Sequence, residues 1–295
     1  MLNIFKTVLL LSGFLLIQTQ INAQDSIILI KGLIVDKSNE KPISYASIGI
    51  PELSIGTLSD EKGEFFLKIP SKSINTVLMV SCLGYFSEKK DLSDLAKENK
   101  NIRIAMKQAS IELSGVEILS KKITEKVKGN ETTSKSMVFS INSVSIGAEL
   151  GAVVHLPCKE VFLKDFNFNI VSNNADSALF RLKIYTYNDT IGMSLLQKDI
   201  FFKIKKNMKG PFKLDLIKHN IIVSCNIFVS VELVDLFNIE AYSRQTSERD
   251  IYLNNRINIS GTILGSKSYH RKNNFFTWEK VGYSMSPGFW LTVAY

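Results

Sequence analysis

Apolar residues recur at every second position in short runs along most of this chain, and polar or glycine-bearing turns separate the runs. Ala46, Ile48 and Ile50 alternate with Ser47 and Gly49; Phe166, Phe168 and Ile170 enclose Asn167 and Asn169; Ile227, Val229, Val231 and Leu233 form a further set. A strand sends successive side chains to opposite faces, so this period describes half-buried extended segments. Beyond residue 137 no long stretch keeps a helical period, and the chain reads as all-β.

The turn chemistry between Ile27 and Met106 agrees. Ile27 to Ile30 and Leu33 to Val35 read as a strand interrupted at Gly32, and Asp36 to Pro42 is a polar connection whose proline suits a loop entering an edge strand. In Ser59-Asp60-Glu61-Lys62-Gly63 the Asp60 carboxylate suits the following backbone amides and Gly63 accepts positive φ without steric cost. The segment therefore reads as a hairpin, after which Phe65 and Leu67 resume alternation. Gly84-Tyr85 and a strand from Ile102 to Met106 close the region.

Taken in order, Gly32-Leu33-Ile34-Val35-Asp36, Ala46 to Ile50, Gly56-Thr57, Ser59-Asp60, Gly63-Glu64-Phe65 and Gly84-Tyr85 resemble the carboxypeptidase regulatory-like domain, a transthyretin-like β-sandwich. Lys41 departs from the family pattern, which usually has a glycine there. The resemblance implies a seven-stranded accessory sandwich over residues 24–118 that brings no catalytic residues. Asp36, Asp60 and Glu64 lie in separate turns, without the dense oxygen spacing of a calcium loop, and read as turn caps. Residues 119–136 are polar and read as a linker, followed over 137–295 by a second antiparallel β-sandwich, jelly-roll-like. The rival reading is a small outer-membrane β-barrel with a periplasmic sandwich, because alternating strands ending at Tyr295 also suit a barrel.

Lys6 precedes the apolar run Val8 to Ile17, and Ile21-Asn22-Ala23 supplies a cleavage pattern, so residues 1–23 read as a secretory signal peptide. Export to the periplasm, the outer membrane or the cell surface of a bacterial envelope follows as an expectation. Of three cysteines, Cys158 and Cys225 are placed either to pair in an oxidising compartment or to stay buried as thiols; Cys82 reads as a small core residue. Residues 24–120 hold 12 Lys and Arg against 13 Asp and Glu, while residues 121–295 hold 23 against 15. The basic excess of the second half fits either peripheral contact with an anionic membrane surface or solvated lysines that keep the domain soluble.

Reactive patterns are scarce. His155, His219 and His270 lack the nearby glutamate of a zinc peptidase, and Gly282 to Ser286 falls short of a nucleophile elbow. Asp235 with Glu240, and Glu248 with Asp250, leave a hydrolase assembled only in the fold as a second alternative. No catalytic residue, metal, cofactor or nucleic-acid partner is expected; the expected partner is an envelope protein or glycan. Aromatic faces, cations and amides gather in one segment, where Tyr269, His270, Arg271 and Trp278 are candidate sugar or peptide contacts. The plainer reading sends Trp278 into the core and leaves Arg271 solvated.

Overall fold

The computed structural model describes residues 26–97, 102–109, 124–142, 146–237, 255–282 and 284–295. The expected signal peptide lies outside them. The first seven strands are β1 (Ile27–Asp36), β2 (Ser47–Ile50), β3 (Ile55–Leu58), β4 (Glu64–Pro70), β5 (Val77–Ser81), β6 (Glu88–Asp91) and β7 (Ile102–Met106), with one short helix, α1 (Leu92–Lys97). They form two sheets, β4-β1-β7 and β3-β2-β5-β6. Alternation on β4 turns Phe65, Leu67 and Ile69 inward and leaves Glu64, Phe66 and Lys68 exposed, and β7 repeats the pattern with Ile102, Ile104 and Met106. These side chains meet Ile48, Ile50, Leu78 and Val80 of the other sheet in one core. The seven-stranded sandwich implied by the family resemblance is the observed fold.

Two local expectations change. Gly32 does not interrupt β1; it lies opposite Phe65 in the β1–β4 register, and a Cβ there would meet the Phe65 ring and the Ile102 carbonyl, each at 2.5 Å. The aromatic ring covers the bare backbone. Gly32→Ala is therefore expected to destabilise the first sandwich by about 1–3 kcal/mol, measured as a lower urea midpoint. The turn at Ser59 to Gly63 closes no hairpin, because β3 pairs with β2 while β4 pairs with β1. It carries the chain from one sheet to the other. The turn chemistry itself is as expected: Asp60 Oδ1 accepts the Lys62 and Glu64 amides at 2.8 Å each, and Gly63 takes φ +77°.

The second body begins earlier than its polar lead suggests. Within 119–136, the stretch that reads as a linker, β8 (Glu125–Gly129) is an edge strand paired with β22 (Trp290–Ala294). Its alternating lysines suit an exposed edge. One sheet contains β10 (Glu149–Val154), β12 (Ser177–Asn188), β13 (Thr190–Ser194), β14 (Ile200–Lys205), β17 (Ile227–Phe237), β19 (Ser268–Arg271) and β20 (Glu279–Lys280). The other joins β8, β9 (Val138–Asn142), β11 (Val161–Asn173), β15 (Gly210–Asp215), β16 (Ile222–Val223), β18 (Arg256–Ile263), β21 (Met285–Pro287) and β22. All pairings within this body are antiparallel, in a jelly-roll-like sandwich.

Between the sheets lies an apolar core that includes Phe166, Phe168, Phe180, Phe202, Phe289, Val229 and Val231. This overturns the barrel alternative, since a membrane barrel turns its apolar residues outward to lipid and fills its interior with polar groups. Cys158 and Cys225 are joined in a disulfide, and Cys82, just past the end of β5, is a partly buried free thiol.

Strand β17 departs from the half-buried norm. Nine of its eleven residues are buried, so its outer face is covered as well as its inner one. What covers it, and what charge it carries, defines the site.

Candidate functional site

Four neighbouring strands place one residue each in a row across the outer face of the first sheet. Arg181 on β12 stands opposite Glu232 on β17, Glu232 opposite Glu149 on β10, and Glu149 opposite Arg271 on β19. The row runs cation, anion, anion, cation. Two carboxylates directly opposed on adjacent strands would repel, and Lys183, two positions along β12 from Arg181, sits between them, 2.8 Å from Glu149 and 3.3 Å from Glu232. Arg181 holds Glu232 at 2.7 Å and Asp199 at 2.9 Å. Arg271 binds Glu149 through both Nε and Nη2. Tyr185 and Ser230 donate their hydroxyls to Glu149 Oε2 at 3.0 and 3.1 Å.

These groups are taken out of water, so their pairing decides their chemistry. Burial on its own would raise the Glu149 pKa, but Lys183 and Arg271 override it and hold the carboxyl at about 2. Burial also opposes the charge of Arg181, and Glu232 followed by Asp199 reverses that and raises it. Burial, reinforced by Glu149, pushes the Tyr185 phenol well up. Burial, with Asp199 nearby, pushes the Cys82 thiol up to about 11. None of these groups is tuned to exchange a proton near neutral pH, which is the requirement for acid or base catalysis.

A carboxyl whose pKa falls on folding adds stability that is complete above its unfolded value and is lost as pH falls through the folded one. For Glu149 that window runs from 4.5 down to about 2. Asp36, lowered to about 2 chiefly by the Ser38 hydroxyl and amide, adds to it from 3.8 downward. Melting temperature is expected to drop steeply across that window in the wild type and less steeply in Glu149→Gln.

The first sandwich covers the row. Arg181 Nη2 donates to the Tyr45 carbonyl at 2.9 Å, and the Tyr45 and Phe201 rings lie 5.3 Å apart. Tyr45 takes a left-handed φ of 58°, which presents that carbonyl. Gly49 and Gly56 face each other across β2 and β3, and together they leave a notch without side chains. Into it come Asn273 and Phe275: a Cβ on Gly56 would meet Asn273 Nδ2 at 2.7 Å, and one on Gly49 would meet the Phe275 ring at 2.9 Å. A cavity of about 240 Å³ remains between the two bodies, bordered by Ser81 and Cys82 on one side and by Arg181, Lys183, Tyr185 and Asp199 on the other.

Three of the four candidate contact residues converge on this face. The Arg271 guanidinium lies 4.3 Å from the Trp278 ring centre. Trp278 packs edge-on against Phe228 at 4.9 Å and Tyr185 at 6.0 Å, and Tyr269 meets Phe228 at 5.8 Å. Arg271 is thus buried and paired, against the plainer reading that left it solvated. His270 points the other way, near Glu279 at 3.8 Å, and lines a cavity of about 560 Å³ that Gly56, Glu149 and Arg271 also border. Sequence reasoning passed over Glu149, Glu232, Arg181 and Lys183. The available signal was Glu232, the one charged residue in the run Ile227 to Val234, where a lone charge needs a partner.

Among the described residues no group of three or more His, Cys, Asp or Glu side chains is placed to hold a metal. Glu240, Glu248 and Asp250 lie outside the described residues. The model of the CarboxypepD_reg-like domain family matches residues 30–118, which contain every motif that carried the resemblance. No curated protein sequence matches the chain. Among solved structures, the cysteine protease and lectin-like domains of Cwp84, a surface layer associated protein of Clostridium difficile, align at a TM-score of 0.36 and 8% identity. The alignment covers 58% of this chain and 36% of that one, and at this score it bears on neither fold nor function.

Proposed function

We propose that this chain is an exported, non-catalytic protein of the bacterial envelope that acts in binding or assembly, its regulatory-like sandwich serving as a fixed mount for the second sandwich. The observation that carries the reading is the buried charge row. Glu149 is held by cations and hydroxyls and Glu232 by cations through Oε2, and the row's far side touches the first sandwich through Tyr45, so it works as a clamp between bodies. The Cys158–Cys225 bridge supports an oxidising compartment, as does the leader-like pattern of residues 1–23.

The test uses the mature chain, starting at Gln24, as bait for envelope extracts. Saturable retention of an envelope protein or glycan is the expected result. Release of peptide or sugar fragments from the extract, abolished by a single carboxylate substitution in the bait, would contradict it and favour the hydrolase.

A further inference from the structure

A third cavity, of about 470 Å³, opens at one end of the second sandwich, where the loop from β13 to β14 meets the loop from β15 to β16. Its floor is the edge of the core: Leu196, Ile200 and Ile221. Its rim is cationic, with Lys198 from one loop and Lys218 and His219 from the other, and among the described residues no carboxylate lines it. Of the nearest acids in sequence, one is drawn away by an arginine and the other caps the rim loop, where its charge also reaches His219. Asp199 holds Arg181 at 2.9 Å, and Asp215 Oδ1 accepts the Ile217 amide at 2.8 Å. His219 is held below its ordinary pKa, first by burial and then by Lys218, so the rim's positive charge comes from the two lysines.

An apolar floor under a basic rim selects for a molecule with both characters. Pockets of small ligands fall in the range of about 300–1,000 Å³, mostly apolar with a few placed polar groups. We propose that this mouth binds an organic anion with an aliphatic body, of the alkyl carboxylate class, its chain against Leu196, Ile200 and Ile221 and its carboxylate at Lys198 and Lys218. The inference rests on the binding role given above to the second sandwich. The two fail separately, because capture of an envelope partner does not require this cavity.

Calorimetric titration of the mature chain with octanoate, hexanoate, octanol and acetate tests it. Octanoate is expected to bind saturably and hexanoate about 16-fold more weakly, since each buried methylene is worth roughly fourfold in affinity. Acetate is expected to give no saturable heat. The exposed pair Lys198→Gln with Lys218→Gln is expected to weaken octanoate about tenfold, leaving the melting temperature and any octanol binding unchanged. Absence of saturable octanoate binding, octanol binding as tight as octanoate, or an unchanged octanoate affinity in the double variant would each overturn the proposal.

Discussion

Replacing Glu149 by alanine is expected to cost about 3–5 kcal/mol of unfolding free energy, because the substitution leaves buried cations without their counter-charge. Arg271 loses its carboxylate, Lys183 keeps only Glu232 at 3.3 Å, and the Tyr185 and Ser230 hydroxyls lose their acceptor. The loss is specific to the broken pairing and does not reflect a general value of buried ion pairs. Glu149→Leu combined with Arg271→Met removes both members with apolar groups of similar size, and should recover a large part of the loss. Urea unfolding of the two single variants and the double variant measures this. A double variant as unstable as the sum of the singles would show that the two side chains act independently.

The second large effect concerns the disulfide. Cys158 and Cys225 lie 67 residues apart, and opening a loop of that length is expected to cost about 4 kcal/mol through the entropy of the unfolded chain. The bridge ties the connection after β10 to the connection before β17, next to the hydrogen bond from the Cys225 amide to the Pro157 carbonyl. Cys158→Ser with Cys225→Ser, or reductant added to the wild type, should lower the melting temperature by a similar amount. The wild type with reductant and the double serine variant should then coincide. A melting temperature indifferent to reductant would mean that Cys158 and Cys225 are thiols in the mature protein, as Cys82 is.

Much of the architecture was legible because it follows from side-chain period. Phe65 and Leu67, Phe180 and Leu182, and Ile227, Val229, Val231 and Leu233 all face inward as their alternation requires. Turn chemistry was legible locally and ambiguous globally. Asp60 and Gly63 make the turn they promise, yet the same residues serve whether the next strand joins its predecessor or crosses to the facing sheet. The polar segment from Glu125 to Gly129 reads as linker because edge strands use the same lysines that linkers do.

The charge row was not legible, for a different reason. Arg271 and Glu149 are 122 residues apart, and only strand register brings them together. Arg181 and Lys183 occupy outward positions of an alternating strand, where solvation is the natural expectation. Arg181 is buried and Lys183 partly buried because another sandwich lies over them. The Gly56-Thr57 motif gains its second meaning in the same way: its glycine shapes β3 within the first sandwich and also admits Asn273 from the second.

Calorimetric unfolding of the mature chain tests most directly whether the two sandwiches are clamped into one body. The clamp predicts a single cooperative transition in the wild type, and its separation into two in Gly56→Val, whose side chain would displace Asn273 from the notch. Two transitions already present in the wild type, both unmoved by Gly56→Val, would contradict it.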